Sequence, residues 1–103
     1  MAQYKKKKHL MALYETIAKL KDADECYRFF EDLCTPLELQ SMEQRFNVAI
    51  SLFQNSVYSE IEQSTGASSA TISRVRRAML DNGVGGVMRE ILSREGFEKQ
   101  GKN

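Results

Sequence analysis

SVYSEIEQSTGASSATISRVRRAML, running from Ser56 to Leu80, is the stretch whose reading decides the fold. Two short helical patterns flank Thr65-Gly66-Ala67. Gly66 stands where a chain leaving a helix must turn sharply, a position that commonly needs φ > 0 and therefore favours glycine. Ser68 follows as a competent N-cap, its hydroxyl able to accept from the free N–H groups of the next turn. Beyond that cap Ile72, Val75 and Met79 recur at intervals of three and four, one buried stripe on a helix. The other face holds Ser69, Ala70, Ser73, Arg74 and Arg77, with Arg76 on a flank and Thr71 in the first turn. This is the layout of a helix-turn-helix over about residues 57–80. Small residues at the start of its second helix would let that helix approach base edges in a major groove.

The flanking segments read as support for this motif. Thr35-Pro36 opens a long helix: threonine can cap it, proline fits the first helical position because its missing N–H would be unpaired there, and Glu38 completes a Thr-x-x-Glu capping box. That helix is expected from Pro36 to about Gln54, with Leu39, Met42, Phe46, Ala49, Ile50 and Phe53 on its apolar stripe. Asn55-Ser56 breaks it. The next helix, Tyr58 to Thr65, is anchored by Ile61; Ser56 is its better capping residue, while Glu60 pairs by spacing with Val57. Upstream, Leu13, Tyr14, Ile17 and Leu20 mark an amphipathic helix from Leu10 to near Lys21. Asp22 or Asp24 would cap a second one that buries Ala23, Tyr27, Phe30, Leu33 and Cys34. Downstream, the glycine density of 81–86 reads as a loop before a short last helix burying Val87, Ile91 and Leu92. No strand-like alternation and no repeat interrupts the pattern, so the fold class is all-α, a six-helix domain over residues 10–94. Residues 1–9, with the run Lys5-Lys6-Lys7-Lys8, are expected as a basic disordered arm and residues 95–103 as a disordered tail.

Composition narrows the function classes. Fifteen basic residues against fourteen acidic ones leave a net charge of +1, so any attraction to nucleic acid must come from where the charges lie. Cys26 and Cys34 are too few for a disulfide framework and match no metal spacing, and they are expected as plain buried thiols in a reducing cytoplasm. His9 stands alone, without partner residues for acid–base or metal work. Neither a catalytic carboxylate pair, a Gly-rich phosphate loop nor a nucleophile with a histidine base is legible, and the chain is read as no enzyme. No apolar run approaches the roughly 18 residues of a membrane span. The expectation is a cytoplasmic protein with no membrane partner.

At this point the order of elements resembles a family. Leu33-Cys34-Thr35-Pro36, then Gln44-Arg45, then Thr65-Gly66-Ala67, then Ala70-Thr71-Ile72-Ser73-Arg74 look like the bacterial tryptophan repressor superfamily, over about Ala12 to Leu92. The match is closer to its repressor-like members of the YerC/YecD type, whose ligand is unassigned, than to the tryptophan repressor itself. The resemblance implies six helices per subunit, an intertwined homodimer with two projecting helix-turn-helix heads, and operator binding controlled by a small corepressor.

Carried over residue by residue, the resemblance implies that Thr35, Arg45 and Arg74 stand where the family holds its corepressor, the arginines around the indole and the threonine near the carboxylate. Val75 stands where the repressor has a glycine, and Ala78 where it has a serine that helps to bind the amino acid. A β-branched side chain narrows the space for an indole, and alanine removes a hydrogen-bonding group. Tryptophan is therefore not expected as effector. Either no cofactor is needed, with Val75 packing where the aromatic ligand would sit, or a smaller anion takes the place; the first is preferred. On the DNA side Ser68, Ser69, Ala70, Thr71, Ser73, Arg74, Arg76 and Arg77 form the candidate interface, while Ser59 and Glu62 replace basic residues of the preceding helix. The function implied is a sequence-specific DNA-binding transcriptional regulator, a repressor, acting as a homodimer on double-stranded DNA. The alternative is a dimeric helical protein-interaction module that has lost operator binding, suggested by the near-zero net charge and by Ser59 and Glu62.

Overall fold

In a computed structural model of the chain, residues 8–80 and 86–98 are described. They form six α-helices and no strand: α1 (Lys8–Ile17), α2 (Ala23–Leu33), α3 (Pro36–Phe53), α4 (Tyr58–Thr65), α5 (Ser69–Leu80) and α6 (Gly86–Arg94). The chain divides into two compact units, Met1–Gln40 and Ser41–Asn103.

The first unit is built from local signals. Asp22 caps α2, its Oδ1 accepting from the Glu25 amide at 2.9 Å, and the Glu25 carboxylate accepts in turn from the Lys21 amide at 2.8 Å. This resolves the choice between Asp22 and Asp24 in favour of Asp22. Asp24 instead pairs with Arg28 one turn on, at 2.9 Å. The capping box of α3 forms as its spacing requires: Thr35 Oγ1 accepts from the Glu38 amide and Glu38 Oε1 from the Thr35 amide. Two expectations fail. The first helix stops at Ile17 rather than near Lys21, its end drawn into a tighter turn by the Lys19 amide donating to the Thr16 carbonyl. Furthermore, α2 buries none of its residues: Tyr27 and Leu33 stay about half exposed, Ala23 is exposed, and Phe30 and Cys34 are half-buried. Cys26 is likewise a half-buried free thiol. Periodicity marked the apolar face correctly but could not supply a surface to cover it.

The second unit holds the core. Val48 and Ala49 of α3, Ile61 of α4, Ala67 of the turn, Ile72, Val75 and Met79 of α5 and Leu92 of α6 are its buried residues. Ile50, Leu52, Phe53, Tyr58, Met88 and Phe97 pack against them. Hence α3 presents Val48 and Ala49 inward, whereas Met42 and Phe46 of the expected stripe remain exposed. In α6 only Leu92 is buried; Val87 and Ile91, read as core, are exposed.

Helix ends in this unit follow backbone chemistry closely. Asn55 ends α3 at φ 63, with its amide donating to Leu52 O and the Ser56 amide reaching back to Ser51 O, the Schellman pattern. Asparagine tolerates this left-handed conformation better than other non-glycine residues. Gly96 repeats the pattern at φ 80 after α6: its amide donates to Ser93 O and the Phe97 amide to Leu92 O. Phe97 then lies edge-on to Phe46, ring centroids 6.2 Å apart, and its carbonyl accepts from Gln54 Nε2 at 3.0 Å. Glu95 to Glu98 are thus ordered, contrary to the expected tail; 99–103 lie outside the described residues. The expected arm is similarly divided, since Lys8 and His9 begin α1 while 1–7, like 81–85 of the expected loop, lie outside them.

Candidate nucleic-acid interface

The turn between α4 and α5 is set by a chain of short-range bonds. Val57 is the N-cap of α4 and makes no side-chain cap bond, so neither Ser56 nor Glu60 closes that end. At the other end Gly66 adopts φ 75 and its amide donates to Glu62 O. Thr65 Oγ1 donates to Ile61 O at 2.7 Å and accepts from the Ala67 amide at 3.1 Å, which fixes the path from α4 into the turn. Ala67 is buried, a small residue where the two helices approach. Ser68 then caps α5, its Oγ accepting from the Thr71 amide while its hydroxyl donates to Thr71 Oγ1. A long-range bond completes the support: Gln44 of α3 donates through Nε2 to Thr65 O at 3.2 Å.

With Ile72, Val75 and Met79 inward, α5 leaves Ser69, Ala70, Arg74, Arg76 and Arg77 exposed and Ser73 half-exposed. Of the eight candidate contacts, Ser68 and Thr71 are the two whose hydroxyls are spent on each other and on the cap. The other six form a polar and basic exposed surface, with Arg74 and Arg76 at its edges, where each also lines a cleft. Among the described residues none of its three arginines is in an ion pair. On α4, Ser59, Glu60 and Glu62 are exposed, so that helix shows an acidic surface.

A second feature adjoins the inner side of α5. A cleft of about 600 Å³ is lined by Met42, Arg45 and Phe46 of α3, Arg74, Val75, Ala78 and Met79 of α5, and Val87 and Met88 of α6. Arg45, Arg74, Val75 and Ala78 are thereby brought together. Thr35 is not among the lining residues; it belongs to the first unit, and its hydroxyl is engaged as the N-cap of α3. The volume lies within the range of small-molecule sites, about 300–1,000 Å³. Val75, only 8% exposed, forms a wall of the cleft and leaves it open. The lining holds two guanidinium groups and no carboxylate.

Sequence reading missed that Met42, Phe46 and Val87 line a cleft. All three were visible as apolar residues at helical spacing, but that signal is the same for core and cavity wall.

The family model for the Trp repressor protein matches residues 8–95. The chain belongs to the Trp repressor family. A Trp repressor relative by sequence is YerC of Bacillus subtilis (strain 168), an uncharacterized protein, 54% identical over 72 residues that cover 70% of this chain and 69% of that one. Two solved structures share the Trp repressor fold with it. A TrpR-like protein from Eubacterium eligens superposes with a TM-score of 0.82 at 40% identity, covering 92% of this chain and 96% of that chain. A candidate Trp repressor from Staphylococcus aureus gives 0.80 at 42% identity, covering 92% and 93%. Trp repressor family membership makes the chain a DNA-binding regulator at family level, on a fold that is not an enzymatic one.

Among the described residues no helix is long and apolar enough to cross a membrane, and no group of three or more His, Cys, Asp or Glu side chains is placed to hold a metal ion.

Proposed function

We propose that the protein is a homodimeric, sequence-specific transcriptional repressor that inserts α5 into the major groove. The observation that carries this reading is the exposed side of α5, where Arg74 and Arg77, with Arg76 on the flank, have no ion-pair partners among the described residues and follow a small-residue N-terminal turn that Gln44 of α3 ties down through Thr65 O of α4. Ser69, Ala70 and Ser73 are suited to base edges and Arg74, Arg76 and Arg77 to phosphates and guanine. Two copies would address half-sites about 34 Å apart. Dimerisation is supported by the first unit, whose Leu10, Tyr14, Tyr27, Leu33 and Leu37 are left exposed by a single chain. A second copy is the occupant that matches a symmetric operator.

The cleft beside α5 is the candidate effector site. Its guanidinium pair favours an anion, and its remaining seven residues favour an apolar body. No side chain in the lining carries a hydroxyl, amide or carboxylate oxygen to receive an ammonium group, and Ala78 supplies none, so tryptophan is a poor match even where there is room. The effector, if the repressor uses one, is a small apolar anion without an amine.

Selection of bound sequences from random duplexes tests the function. A recovered palindrome, bound with an affinity that falls steeply with salt, is the expected result. Recovery of no sequence preference, with salt-insensitive binding, would favour the interaction module that the acidic surface of α4 suggests.

A further inference from the structure

A second, smaller cleft lies beside α5. It has a volume of about 210 Å³ and is lined by Leu52, Phe53 and Asn55 at the end of α3, Arg76, Met79 and Leu80 of α5, and Arg89 of α6. Met79 lines both clefts, so α5 forms part of the wall of each. Arg76 and Arg89 come from different helices to one small space, and among the described residues neither is in an ion pair. Arg28 and Arg94, by contrast, are both paired with carboxylates.

Helix electrostatics explain neither. Arg76 precedes the last turn of α5, whose basic residue is Arg77, so the macrodipole does little for it. Arg89 is in the first turn of α6, the electropositive end, where a cation is disfavoured and where this helix has no acidic residue. Two exposed like charges that line one small cleft gain from an anion between them. Two guanidinium forks fit the several oxygens of one phosphate group better than a carboxylate, which a single fork already satisfies.

We propose that the Arg76–Arg89 cleft is a phosphate-binding site, separate from the apolar cleft at Arg45 and Arg74. The phosphate is either a group of the DNA backbone or a free one. The site does not depend on the repressor reading, because phosphate alone reports on it.

The test is an NMR titration of the full-length protein, labelled at arginine, with inorganic phosphate at constant ionic strength. The Nε–Hε signals of Arg76 and Arg89 should move together and saturate, while the exposed Arg77 signal stays near its starting position. Arg89→Gln should weaken phosphate binding about tenfold or more with the melting transition unchanged. Duplex DNA then separates the sources. If the phosphate is the backbone's, Arg89→Gln lowers the slope of log K against log[salt] by about 0.9 per lost contact, and free phosphate competes with the duplex. If it is a free ligand's, that slope is unchanged while the titration persists. Signals that move without saturating, or equally at Arg77, would overturn the proposal.

Discussion

Gly66 shows how far a single backbone angle reaches. Its φ of 75 is costly for any L side chain, yet an added Cβ would meet nothing closer than Gln44 Nε2 at 3.8 Å, an ordinary contact. The cost of Gly66→Ala is therefore backbone strain alone, about 1–2 kcal/mol. Urea denaturation of the variant should show a midpoint shift of that size with an unchanged m-value; no shift would mean that the turn relaxes elsewhere. Val75 is instructive in a different way. It is buried, yet one side of it faces an open cleft, so the same residue serves as core and as cavity wall.

Among the elements, α5 carries the functional weight, and its two faces answer to different physics. The inner face is held by burial of Ile72, Val75 and Met79; the outer face is free to be specialised. Arg77→Ala should weaken duplex binding for all sequences and flatten the salt dependence, because an exposed guanidinium at that point neutralises phosphate or reads guanine. Ser73→Ala should instead alter the ranking of sites while leaving average affinity close to its original value. Competition binding with a panel of duplexes at several salt concentrations distinguishes the two. Indifference of both variants would remove α5 from the interface.

For the whole molecule, the imbalance between the two units decides the expectation. The second has eight buried apolar residues, while the first has none among its described residues. Leaving Tyr14 at 60% and Leu33 at 55% exposure is not what a free-standing chain of this size tolerates well, because Leu33 alone forgoes about half of the roughly 1.5–3 kcal/mol that full burial of such a side chain gives. Sedimentation should show a dimer at micromolar concentration, with unfolding dependent on protein concentration. A folded monomer under those conditions would refute it. Effector control belongs to the same scale, since a ligand can act only through different affinities for two arrangements of the helices. Calorimetry with tryptophan should give no heat of binding and millimolar tryptophan should leave DNA affinity unchanged. Micromolar binding accompanied by tighter operator association would reverse this view of Val75 and Ala78.

What the sequence determined by itself was everything governed by a few neighbouring residues. The Thr35–Glu38 box, the Ser68 cap and the left-handed turn at Gly66 all rest on bonds spanning four residues or fewer, and each formed as read. The inward stripe of α5 was equally legible, because its period and its caps agree. Tertiary structure alone decided which apolar faces would be covered. Val48 went into the core and Met42 to the wall of a cleft, though the stripe read from spacing included Met42 and not Val48. The Gly96–Phe97 end of α6 was lost to a reading of disorder because its order depends on Gln54 and Phe46, more than 40 residues away. Arg89 drew no notice in sequence, since only the approach of α6 to α5 brings it to the cleft that Arg76 also lines. Hydrogen bonds near a helix end are decided by chain connectivity, whereas burial is decided by whatever distant surface arrives, and no local pattern encodes that surface.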